Sequence, residues 1–170
     1  FYDLEMDTLT QFKIASLAHL AVQGNGSCGD IAASCYGGWI AFSTFDSQWV
    51  KEKQAQWSLS TLLETDWPML SIQPLEVPKN LRLVIGWTGS PASTSDLVDQ
   101  VHQSKEVAES AYQTFLKDSR ECVEEMIAGF TNKNIPVIKQ MITKNRALLN
   151  TLSSITGVTI ETPALKELCD

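Results

Sequence analysis

Glycines at positions 24, 26 and 29 crowd one short stretch of the chain, and the pair Gly37-Gly38 follows soon after. Glycine weakens helix and strand interiors and accepts backbone angles that other residues avoid. A helix arriving from the amino-terminal side must therefore end near 24. Whatever starts at Asp30 must stop by 37. Between them, Asp30-Ile31-Ala32-Ala33-Ser34-Cys35 reads as a short apolar helix with one carboxylate at its start. Two readings of Asp30 are open. It is the helix N-cap, accepting a backbone N–H. Or it is a buried carboxylate that takes a proton from a substrate hydroxyl beside a phosphate. A simple cap needs at most one glycine, so three lean towards the second. Ser27 either donates to a bound anion or closes the turn.

The rest of the chain frames this loop. Asp7 is a good N-cap, and Ile14, Leu17, Ala18 and Ala21 follow at helical spacing, which predicts a helix over 8–22. Residues 39–45 read as a strand. Asp46 caps a short helix over 47–55, and 59–65 form another turn or helix that Trp67-Pro68 ends. Residues 70–75 are a second strand, placed at an edge by Pro74 and Pro78. Leu81 to Thr88 is the strongest strand pattern in the chain. After a polar loop everything reads as helix. Val123, Met126, Ile127 and Phe130 make one apolar stripe, and Ile135, Ile138, Ile142, Leu149 and Leu152 make another. Thr162-Pro163 starts a last helix. Helix, strands, then helices give an α+β class.

A net charge of −7 argues against a general nucleic-acid binder or an anionic-membrane binder. It leaves room for a small anion held by backbone N–H groups at a helix start. Cys28, Cys35, Cys122 and Cys169 show no metal spacing, and with His19 and His102 far apart a structural zinc site is not expected. No signal peptide opens the chain and no apolar run reaches about 18 residues. A reduced cytoplasmic setting is the simplest expectation. Phe1 at the start and Asp170 at the end, the latter inside an apparent helix, look cut from something longer.

A second small-residue loop, 88–94, lies beside a strand end. It is a polar connection with Ser93 or Thr94 as cap, or a hydroxyl-and-amide cradle for a phosphate or carboxylate. It is not a Walker A loop, since no Gly-Lys-Ser/Thr follows. His19 and His102 read as structural or solvated. Tryptophans 39, 49, 57, 67 and 87 read as core rather than as a stacking platform.

The two loops together, in this order and about 60 residues apart, resemble the GHMP kinases, and among them the bacterial phosphomevalonate kinases. Ser27-Cys28-Gly29-Asp30-Ile31-Ala32-Ala33-Ser34 with Gly37-Gly38-Trp39 resembles that family's catalytic-aspartate segment. Leu83-Val84-Ile85-Gly86-Trp87-Thr88-Gly89-Ser90-Pro91-Ala92-Ser93 resembles the segment that follows its central strands. Phe1-Tyr2-Asp3 and the final six residues also fit.

The resemblance implies a partial GHMP fold. Residues 1–60 would end the N-terminal domain, and 61–170 would be a segment of the C-terminal domain, strands and then long helices. It implies ATP-dependent phosphoryl transfer to 5-phosphomevalonate in the mevalonate route to isoprenoids, with Mg²⁺ on the nucleotide. Asp30 would be the catalytic residue. Ser27, Gly29, Thr88, Gly89, Ser90, Ser93 and Thr94 would contact substrate. The family's ATP-phosphate loops would lie just before Phe1 and just after Asp170, so nucleotide residues are not assigned and the isolated chain is expected to be inactive. No metal ligand, nucleic acid or membrane is implied. Mevalonate kinase or another GHMP small-molecule kinase is the nearest alternative. A non-catalytic module that binds a ligand or a partner chain is another.

Overall fold

The computed structural model describes residues 5–84 and 109–169. Two compact units divide the chain between Glu76 and Val77.

In the first unit, α1 (Thr8–Gln23) begins where the Asp7 carboxylate accepts from the Thr10 N–H at 3.0 Å. Those hydrogen bonds from Thr10 hold Asp7 below the usual carboxylate range. Gly24, at φ 76°, ends the helix by returning its N–H to the Leu20 carbonyl. After the glycine loop, α2 (Gly29–Tyr36) runs until Gly37 stops it. Strand β1 (Trp39–Ser43), helices α3 (Ser47–Gln54) and α4 (Leu59–Glu64), and strand β2 (Ser71–Leu75) complete the unit. Asp46 caps α3 through the Gln48 and Trp49 N–H groups, and Ser58 caps α4 through Thr61.

The strands pair antiparallel, from Trp39 opposite Leu75 to Ser43 opposite Ser71. One sheet face carries Ile40, Phe42 and Ile72, which pack on a core of Phe12, Leu17, Leu20, Ala32, Phe45, Val50, Leu62 and Trp67. Phe12 meets Phe42 and Phe45 edge-on, and Phe45 meets Trp67 the same way at 4.7 Å between centroids.

The second unit holds α5 (Glu109–Thr131), α6 (Ile135–Thr156) and α7 (Pro163–Cys169). Asn134 caps α6 with Pro136 tolerated in its first turn. The helices approach closely at Gly129, where an added Cβ would stand 3.1 Å from Ile138 Cγ1. The Thr162 hydroxyl accepts from Leu165 N–H at 3.3 Å at the start of α7. Helices and a two-stranded antiparallel sheet followed by a helical C-terminal part make the α+β class expected from the sequence.

Three expectations change. Residues 81–84 are not strand: a strand exists only with a ladder partner, and none among the described residues reaches them. Val84 stands 88% exposed. The remaining residues of that expected strand, 85–88, lie outside the described residues, as does the 88–94 loop. On α1 the buried face is Phe12, Lys13, Ser16, Leu17 and Leu20, while Ala18 and Ala21 face solvent. The face is turned because Phe12, flanked by polar Gln11 and Lys13, is the residue that fits against Phe42 and Phe45. In the helical unit Val123 and Ile142 are exposed, and Cys122 and Met141 are buried in their place.

Candidate functional site

The loop 24–28 and the first turn of α2 form the candidate site. Its backbone is unusual at three points: Gly24, Gly26 at φ 132° and Cys28 at φ 58°. Cys28 is the residue from which α2 departs, in the left-handed conformation and with no side-chain cap bond. This corrects the cap reading of Asp30. The helix begins one residue earlier than expected, at Gly29, so Asp30 is its second residue and not its N-cap. Asp30 is also exposed, not buried. In the first turn its carboxylate lies where the helix dipole favours negative charge.

Around it, the Ser27 hydroxyl accepts a long 3.4 Å bond from Gly29 N–H, which closes the turn. The Thr44 hydroxyl donates to the Ser27 carbonyl at 2.9 Å. Gly29 sits over Phe42, with 3.6 Å between an added Cβ and the ring. Cys28 is 1% exposed. Burial pushes its thiol up, with the Asp30 charge adding to the rise. The buried Ser16 hydroxyl beside it pulls the other way without meeting hydrogen-bond geometry. A protonated thiol in this position is a packing group, not a nucleophile.

Three contacts were not singled out in the sequence. His19 Nε2 lies 3.1 Å from the Asn25 carbonyl, Lys51 Nζ donates to the Gly24 carbonyl at 2.5 Å, and Thr44 holds Ser27. His19, whose residue type and spacing read as structural or solvated, meets the loop backbone. Only its position on a helix ending at the loop could have hinted at its target. Gly26 packs against the same ring: a Cβ there would stand 2.7 Å from His19 Nε2. Gly26→Ala is therefore expected to displace His19 and to force an alanine to a positive φ. The cost is about 1–3 kcal/mol, read as a lower urea midpoint; an unchanged midpoint would show that the loop relaxes freely.

Thr88, Gly89, Ser90, Ser93, Thr94 and His102 lie outside the described residues, so only Asp30, Ser27 and Gly29 of the expected site are placed, and these three are together. Among the described residues no three His, Cys, Asp or Glu side chains converge as metal ligands, and no helix is long and apolar enough to cross a membrane. The second unit has an open cleft of about 450 Å³ between Thr143, Arg146, Asn150, Glu161 and Lys166.

No family model matches the chain. A phosphomevalonate kinase of Streptomyces sp. (strain CL190) is 34% identical over all 170 residues, which cover 46% of that protein. The structure of Streptococcus pneumoniae phosphomevalonate kinase in complex with phosphomevalonate and AMPPNP superposes with a TM-score of 0.74 at 30% identity, over 90% of this chain and 44% of that one. The chain is a partial homologue of phosphomevalonate kinase, in the GHMP kinase family. A second structure of the Streptococcus pneumoniae phosphomevalonate kinase gives 0.75 at 27% identity, over 98% of this chain and 48% of that one. The Lin0012 protein from Listeria innocua gives 0.88 at 46% identity, over 96% of this chain and 46% of that one. The chain spans about half the length of the relatives it matches.

Proposed function

We propose that this chain is the part of a phosphomevalonate kinase that carries its catalytic-aspartate segment. The observation that carries the reading is an exposed carboxylate, Asp30, in the first turn of a helix that follows a glycine loop. That helix belongs to a chain whose fold superposes on a kinase holding phosphomevalonate and AMPPNP. In this reading residues 1–60 end an N-terminal domain and 61–170 belong to the C-terminal domain of the whole kinase. The substrates are ATP and 5-phosphomevalonate, and the setting is cytoplasmic.

The reaction joins an acceptor phosphate oxygen to the γ-phosphorus of ATP and breaks the bond from that phosphorus to the β-phosphate bridge. The products are ADP and 5-diphosphomevalonate. Such transfers depend on positioning and on neutralising charge, the latter supplied in part by Mg²⁺ when it is bound to the nucleotide. The described residues offer no carboxylate cluster for that ion, so no step is assigned through it.

A phosphate monoester has a second pKa of about 6, so the acceptor is already largely ionised at neutral pH. Asp30 then has little need to act as a base. Its role in this reading is to orient the acceptor or a cationic side chain that binds it. Ser27 and Gly29 border the acceptor, and Thr88, Gly89, Ser90, Ser93 and Thr94 contact its anionic ends.

Two measurements on the full-length protein test this. A coupled assay is expected to favour phosphomevalonate over mevalonate by roughly 100-fold or more, because a site built for a phosphate leaves its donors unpaired without one. A preference for mevalonate would move the chain to another branch of the family. Ser93→Ala is expected to raise KM for phosphomevalonate about tenfold, the scale of one lost bond to a charged group, with ATP binding unchanged. Weakened ATP binding with normal acceptor KM would reverse the assignment of that loop.

A further inference from the structure

Three side chains from different parts of the first unit end on the backbone of one short loop. His19 comes from α1, Thr44 follows β1, and Lys51 comes from α3. Their targets are the carbonyls of Asn25, Ser27 and Gly24, at 3.1, 2.9 and 2.5 Å. A carbonyl only accepts, so His19 carries a proton on Nε2. Contacts to carbonyls fix the path of the chain itself, independently of which side chains the loop bears.

The loop needs such fixing. Gly24 and Gly26 give it conformational freedom that folding must remove. Ser27, held by Thr44, is the residue before Cys28, the left-handed start of α2, and Asp30 lies two residues beyond. A swing of the loop would be carried into the first turn of α2. None of the three bonds lies in the core: all are at exposed positions. Their effect is local order more than global stability.

We infer that His19, Thr44 and Lys51 are positioning residues that hold Asp30 in register with the phosphorylated acceptor. The inference rests on the kinase reading above. It differs from a purely structural role, because it ties three bonds remote from the transferred group to turnover.

The test uses the full-length protein with Thr44→Val, Lys51→Met and, as the conservative partner, Lys51→Arg. Readouts are kcat, KM for each substrate, Tm, and amide hydrogen exchange over residues 24–31. Thr44→Val and Lys51→Met are expected to speed exchange in that segment and lower kcat about tenfold, since small misplacements of positioning groups cost rate steeply. KM for ATP should stay within about twofold and Tm within about 2 °C, because exposed bonds contribute little globally. Lys51→Arg, which still donates, should recover most of kcat. Unchanged exchange, or faster exchange with unchanged kcat, overturns the inference, and so does an arginine variant no better than methionine. Wild-type protein that turns over no phosphomevalonate instead removes the kinase reading itself. Active wild type with indifferent variants removes only the inference.

Discussion

Asp30→Asn in the full-length protein is expected to lower kcat for phosphomevalonate by roughly 100-fold, the scale associated with losing the alignment of a reacting group. The folded state should hardly notice. Asp30 is exposed and caps nothing, since α2 departs from Cys28, so the change removes charge without leaving a cavity or an orphaned core group. Tm within a few degrees of wild type, with collapsed turnover, is the expected pair of results. Turnover within a few-fold of wild type would sink the role given to Asp30.

The second large effect concerns Lys13, which lies 3% exposed inside the first unit. Its ammonium donates to the carbonyls of Leu63 at 2.8 Å and Thr65 at 2.9 Å, and stands 5.7 Å from the centroid of the Trp67 ring. These carbonyls belong to the carboxyl end of α4, where such groups lack helical partners. The lysine therefore closes α4 from a helix 50 residues earlier in the chain. Lys13→Met keeps the stem's packing and strips both carbonyls of a charged donor. The expected loss is about 3 kcal/mol, seen as a Tm lower by roughly 5–10 °C. An unchanged Tm would mean that water replaces the ammonium without cost.

The same lysine gives a pH signature. Burial pulls its pKa below the ordinary lysine value, with Asp66 and Asp7 opposing the shift. The unfolded chain thus holds this proton more tightly. Between the lowered folded value and the ordinary one the unfolded state binds more protons, so this group's contribution to stability rises with pH. Below that window the full cost of burying the charge is present. Stability curves of wild type and Lys13→Met should therefore diverge in favour of wild type as pH climbs towards the ordinary lysine range.

Lys13 also shows where sequence reading stops. A lysine one residue from Phe12 on an amphipathic helix reads as a surface group, and nothing local points to carbonyls some 50 positions away. The features that were legible are local ones. Asp7, Asp46 and Thr162 cap helices through N–H groups two or three residues on, a range that sequence spacing encodes directly. Gly24 and Gly37 end helices where expected for the same reason. The strand pattern at 81–84 failed because propensity alone does not make a strand, and no ladder partner among the described residues reaches it. Of the two readings the sequence leaves open for Asp30, the N-cap one fails because Cys28, not Asp30, takes the left-handed turn that opens α2.

That cysteine imposes opposite demands on one position. Its backbone angle favours glycine, whereas its side chain fills core space next to Ser16, whose hydroxyl meets no hydrogen-bond partner among the described residues. Glycine would relax the turn and hollow the wall beneath it; a branched residue would fill the wall and oppose the turn. The compromise admits only small side chains, so the entrance to α2 is a place where variation is squeezed from two sides, and the geometry delivered to Asp30 is insulated from drift at its immediate neighbour.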